Sequence, residues 1–138
     1  MIAGHQEIIE DLKKLSFSGR LSHGYIFYGP TMVGKRTTAL ALARFLEKGE
    51  FEPPAESEVL QDTKLVDLAF AKSLDANVKD SIGIDAVREI KNFLWQKPNA
   101  SPKRTLVIDD AELLTTEAQN ALLKLTEEPP ASSLLIIV

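Results

Sequence analysis

The chain has no cysteine. Disulfides and thiolate zinc sites are therefore excluded from it, although the absence says little about compartment. Histidine is scarce as well: His5 and His23 stand far apart and make no metal constellation. No run of Lys or Arg occurs, and the net charge of −4 opposes the phosphate neutralisation that duplex DNA binding requires, so autonomous DNA binding is not expected. No apolar run approaches membrane-spanning length, and the first residues show no signal-peptide pattern. The expectation is a soluble cytoplasmic protein with no membrane association. Internal repeats and low-complexity tracts are also missing. What is there is 138 residues, 44% of them apolar, which suffices for one domain or less with a real core.

One stretch organises the rest. Gly29, Pro30, Thr31, Met32, Val33, Gly34, Lys35, Arg36 and Thr37 follow the apolar run YIFY and precede an alanine-rich helical pattern. Strand, glycine loop and helix start form the context of a phosphate-binding loop. Gly29 turns the chain off the strand, and Gly34 permits a backbone that aims N–H groups inward at an anion. Lys35 supplies a point charge, and the helix adds unpaired N–H groups and its positive end. The pattern G-x-x-x-x-G-K-[ST] is matched up to its last position. There Arg36 replaces the hydroxyl that binds magnesium. Thr37 is a poor substitute, because one residue along a helix rotates the side chain by about 100°. Met32 sits where many such loops carry glycine. The loop is thus badly equipped for hydrolysis, and two readings stay open: weak nucleotide binding, or an empty loop that braces strand against helix.

The surrounding pattern alternates helix and strand. Residues 5–16 read as a helix with Ile8, Leu12 and Leu15 on one face. Residues 25–28 read as a strand covered on both faces, as in a parallel sheet. Residues 35–47 form a second helix with Ala39, Leu42, Ala43 and Leu46 inward, stopped by Gly49. Residues 50–64 change character: Pro53-Pro54, five acids (Glu50, Glu52, Glu56, Glu58, Asp62) and one Lys mark a surface excursion. Residues 65–70 read as a second strand and 71–81 as a loop. Asp85 caps a third helix over 86–95, with Val87, Ile90 and Leu94 inward. A loop over 96–104 leads to a strand over 105–109. Thr116 and Gln119 form a capping box for a helix to Glu127, with Ala118, Ala121, Leu122 and Leu125 on its apolar face. Pro129-Pro130 ends it, and residues 134–138 are a fourth strand. A buried parallel strand at the end of the chain suggests a fragment of something longer.

This order predicts an α/β three-layer αβα sandwich with a mainly parallel sheet. Ligands bind beyond the carboxyl ends of such strands, where both the glycine loop and Asp109 fall. In phosphate-loop ATPases a carboxylate at the position of Asp109 orients magnesium or its water, and the next residue polarises the attacking water. Asp110 holds that second position, one methylene shorter than the usual Glu. The plain alternative is that acids at strand ends simply enter solvent. Glu127 and Glu128 oppose the macrodipole at a helix C-terminus, which suits either a basic partner surface or two solvated acids.

Three segments carry a family resemblance: SHGYIFYGPTMVGKRTTALALA, SIGIDAVREI and VIDDAELLTTEAQNALLKLTEEPPASSLLIIV. Together they resemble the AAA+ phosphate-loop NTPase domain of bacterial DNA polymerase III clamp-loader subunits. The delta prime type is nearest and the gamma/tau motor is the near relative. The stretch AQNALLKLTEEPP is the most specific part, and the likeness is weakest over 50–80. The resemblance implies a subunit of an assembly that places a sliding clamp on primed DNA. Gamma/tau and delta subunits would be its partners, and ATP or ADP with Mg its ligands, bound weakly or not at all. Lys-Arg after the second loop glycine looks like the delta prime stator, which contributes an arginine to a neighbour's ATP. The resemblance also places Ile2–His5 near the adenine. Many relatives carry a cysteine zinc module where residues 50–64 stand, so no zinc is expected. The segment with the trans arginine, the lid and the C-terminal collar are not in the chain. Two alternatives are an active gamma/tau-type motor and an unrelated phosphate-loop enzyme. The second needs basic phosphate clamps, and the sequence shows no such cluster.

Overall fold

The computed structural model describes residues 2–138. Its elements run α1 (Gln6–Phe17), β1 (Gly24–Ile26), α2 (Lys35–Lys48), β2 (Thr63–Val66), α3 (Leu68–Leu74), α4 (Ile84–Trp95), β3 (Arg104–Ile108), α5 (Thr116–Glu127) and β4 (Ser133–Ile137), with a short 3-10 turn at Ala111–Leu113. The strands pair in the order β1-β4-β3-β2, and every pairing is parallel. All carboxyl ends therefore lie along one edge, the geometry in which ligands collect.

Strand residues alternate between the two faces. Leu106, Ile108 and Leu135 pack with Val66 against α3, α4 and α5 through Ala71, Ile90, Leu94, Leu122 and Leu125. Val107, Leu134 and Ile136 pack on the other face against Leu12 of α1 and Ala39 and Leu42 of α2. This is the three-layer α/β sandwich that the pattern predicts. β3 is buried at every position, as a central strand covered twice should be.

Several expectations are corrected. The strand read over 25–28 is Gly24–Ile26, an edge strand paired only with β4; Tyr25 and Phe27 pack on the core while Ile26, and Tyr28 just beyond the strand, remain exposed. Ile8 is also exposed, and Ile9 replaces it on the buried face of α1. The run over 65–70 is split: β2 ends at Val66, and Asp67 turns the chain into α3 by accepting a hydrogen bond from the Phe70 N–H. Four residues assigned to the loop over 71–81 belong to that helix. A local Asp cap outcompetes the short apolar run. Gly83, not Asp85, is the N-cap of α4. The α5 cap is Thr115, which accepts from the Ala118 N–H, while the Gln119 amide reaches back to the Leu114 carbonyl.

The acidic excursion is anchored more firmly than its composition implies. Glu58 pairs with both Arg44 and Lys48 of α2, and Glu47 accepts from the Gln61 and Asp62 N–H groups. Asp62 is fully buried. It accepts from the N–H groups of Asn99, Ala100 and Ser101 at 2.7, 2.6 and 2.7 Å, and lies 3.6 Å from the Arg104 guanidinium. Burial pushes its carboxyl up, but the three N–H donors and Arg104 outweigh this and hold it below the ordinary value. Arg104 in turn donates to the Gln61 and Lys97 carbonyls and stacks on Phe93. The amino ends of β2 and β3 are thus tied to the loop before β3.

Removing one member of a buried, hydrogen-bonded ion pair strands the other. Asp62→Ala should cost about 3–5 kcal/mol and lower the melting temperature by on the order of 10 °C in a thermal unfolding scan.

The Glu58 carboxyl is lowered from 4.5 to about 2, first by the Lys48 ammonium, against the opposing effect of burial, and then by Arg44 and the Ala55 N–H. A lowered carboxylate stabilises the fold fully above its unfolded pKa and loses that contribution as pH falls through the folded value. The melting-temperature gap between wild type and Glu58→Gln should therefore hold steady above pH 4.5 and close between pH 4.5 and about 2.

Candidate functional site

The loop after β1 takes a conformation that most side chains resist. Gly29, Met32 and Gly34 have φ values of 150°, 62° and 90°. The two glycines suit these values. Met32 holds a left-handed conformation with its side chain fully exposed, so no packing compensates the strain. Gly34 is the N-cap of α2 and offers no side-chain cap, which leaves the first-turn N–H groups free of any side-chain partner. Lys35 folds back over the loop, its ammonium donating to the Gly29 carbonyl at 2.8 Å. His5, itself left-handed, bonds through Nε2 to the Val33 carbonyl at 2.9 Å.

Two cavities flank the loop and share Gly34 and Lys35. One, of about 240 Å³, is lined by His5, Ile8, Ile26, Tyr28, Val33 and Thr38 and is mainly apolar. The other, of about 420 Å³, is lined by Thr31, Met32, Arg36, Thr37, Asp109, Asp110, Glu112 and Val138. The structure thus brings Asp109 and Asp110 to the same cavity as Lys35, Arg36 and Thr37. Thr37 reaches the cavity wall, while the next hydroxyl, on Thr38, donates to the Gly34 carbonyl. Pro30 and Val33 complete the loop, with Val33 turned toward the apolar cavity.

Arg36 is the residue that distinguishes this site. Its Nη1 donates to Asp109 Oδ2 at 3.2 Å and to Asp67 Oδ2 at 3.3 Å. Asp109 stands just past β3, its Oδ1 accepting from the Asp110 N–H at 3.0 Å. Asp110 adopts φ 60°, another left-handed residue that is not glycine. Asp67 uses Oδ1 as the α3 cap and Oδ2 on Arg36. Reading 65–70 as strand hid Asp67. Its signal was an acid directly before the helical pattern LAFAKSL.

A magnesium ion does not fit these residues. Position 36 has no hydroxyl, and the carboxylate that would orient the ion is already bonded to a cation. A divalent ion about 4 Å from the guanidinium would meet a repulsion of roughly 8 kcal/mol at an effective dielectric of about 20, and roughly 2 kcal/mol in bulk water. Arg36 is 47% exposed, so this pairwise repulsion lies between these limits. Among the described residues, no group of three or more His, Asp or Glu side chains is gathered as a metal-ligand set. No helix among them is long and apolar enough to cross a membrane.

Comparison with known proteins agrees with this architecture. Residues 4–138 match the family described as DNA polymerase III, delta subunit. The chain is 30% identical to DNA polymerase III subunit gamma/tau of Mycobacterium bovis, over 98% of this chain and 24% of that protein. It is 34% identical to replication factor C subunit 3 of Schizosaccharomyces pombe, over 92% of this chain and 32% of that protein. The crystal structure of a DNA polymerase III, gamma subunit-related protein from Thermotoga maritima superposes with a TM-score of 0.67 at 27% identity, covering 91% of this chain and 38% of that one. The chain therefore spans about a quarter to a third of the length of these curated relatives.

Glycine accepts left-handed φ without the clash that a Cβ introduces. Met32→Gly should raise stability by about 0.5–1 kcal/mol in urea unfolding, the relieved strain exceeding the added chain entropy. A loss of stability would mean that Met32 makes a compensating contact.

Proposed function

We propose a function from one premise: the chain belongs to the DNA polymerase III delta subunit family, a clamp-loader family of AAA+ fold. We read it as part of a subunit of the delta prime kind. In this reading it helps an assembly of gamma/tau and delta subunits load a sliding clamp onto primed DNA. Its own phosphate loop, Gly29 to Thr37, serves assembly and does not hydrolyse ATP. The single observation that carries this is the bond from Arg36 to Asp109. Hydrolysis needs a metal to neutralise charge developing on the phosphates and a residue to position water. Here the metal's carboxylate is engaged by a guanidinium. Asp110, the residue in the water-positioning place, sits in a left-handed turn one methylene short of the usual Glu.

A second reading is favoured by one fact. Lys35, Asp109 and Asp110 all line one cavity, as an active gamma/tau-type motor would require. In that reading Asp110 is the base and Thr37 replaces the missing hydroxyl.

Phosphate release from ATP separates the two. The chain should release phosphate no faster than Lys35→Ala or Asp110→Asn, in magnesium and at saturating ATP. A turnover that falls on the order of a hundredfold or more in Asp110→Asn would establish the motor instead.

A further inference from the structure

We infer that Arg36 is a built-in counter-cation, so that this site takes a nucleoside diphosphate without any divalent ion. The inference rests on the non-hydrolysing reading and adds to it a ligand class and independence of any divalent ion.

The guanidinium has five N–H donors in a planar fork. The bonds it makes to Asp67 and Asp109 both leave from Nη1. Nε and Nη2 have no hydrogen-bond partner among the described residues, and the half-exposed side chain lines the same cavity as Lys35 and Thr37. One side of the fork is thus fixed by carboxylates, while the remaining donors stay available to phosphate oxygens. This is the planar geometry that suits arginine for phosphate recognition. Lys35 bonds only to the Gly29 carbonyl, a neutral acceptor that a phosphate would outcompete.

The neighbouring cavity supplies the other half of a nucleotide. It shares Gly34 and Lys35 with the polar cavity, and Ile8, Ile26 and Tyr28 on its wall are 53%, 72% and 91% exposed. A flat base laid there would cover apolar surface that nothing else in the described structure covers. Charge selects the shorter phosphate chain. Asp109, Asp110 and Glu112 line the polar cavity against Lys35 and Arg36 alone, so every added phosphate brings negative charge to a site already rich in it. In an ordinary phosphate loop magnesium offsets that charge. Here its place beside Asp109 is taken.

The test is calorimetric titration of the full chain with ADP, once with excess magnesium and once with EDTA. The dissociation constant should agree within about threefold between the two, with ATP binding more weakly than ADP in EDTA. Arg36→Thr removes the guanidinium and restores a hydroxyl, and should weaken binding by about tenfold or more in EDTA while recovering part of it in magnesium. Arg36→Lys keeps the charge without the fork and should fall between; it also serves as the folded control if the threonine variant unfolds. Wild-type binding that collapses in EDTA overturns the inference. So does ADP binding in neither buffer, or binding in EDTA that Arg36→Thr and Arg36→Lys leave unchanged. None of these outcomes touches the non-hydrolysing assignment, which only phosphate release can overturn.

Discussion

Parallel pairing in the order β1-β4-β3-β2 is the constraint on which the site depends. Parallel strands deliver their carboxyl ends to one edge, so segments remote in sequence meet there without any local signal between them. The glycine loop leaves β1, Asp67 leaves β2 and Asp109 leaves β3. A guanidinium on the first turn of α2 then reaches both carboxylates. The register that places Val66 beside Ile108 also places the two acids side by side. The ion pair is therefore a consequence of the fold as much as of the loop.

The β2–β3 pair is closed at both ends by an arginine on aspartate, with opposite physical consequences. At the amino ends Asp62 and Arg104 are buried, and their contacts are almost all with backbone or with each other. Such a pair fixes the geometry of a loop and has little freedom to respond to a ligand. At the carboxyl ends Arg36 is half exposed and keeps donors free toward a cavity. The first pair is structural. The second is open to exchange with solvent and anions, which is the property a binding site requires.

Much of this was legible in the residues. Strand and helix alternation indicated the sandwich, and the glycine–lysine loop with Asp109 pointed to the candidate site, because both rest on local patterns. Arg36 was visible as a departure, but its partners were not. Asp67 lay inside LVDLAF, where the apolar run masked a helix cap. Asp62 lay in an acidic stretch that read as a surface excursion, since burial of one carboxylate among five is set by tertiary contacts. The edge position of β1 depends on strand order, which periodicity does not encode, and the run YIFY gave no sign that Ile26 and Tyr28 would stay exposed. The left-handed φ of Met32 was foreshadowed by its place in a glycine position.

The central claim is that the charge of Arg36 is engaged by Asp109, where a metal would otherwise be held. A double-mutant cycle of Arg36→Met and Asp109→Asn, read as unfolding free energy, tests it most directly. For a partly exposed charged pair the account predicts a favourable coupling of about 1 kcal/mol, shrinking as salt is added. Two single variants whose effects simply add, with no salt dependence, would contradict it and leave Asp109 free for a metal ion.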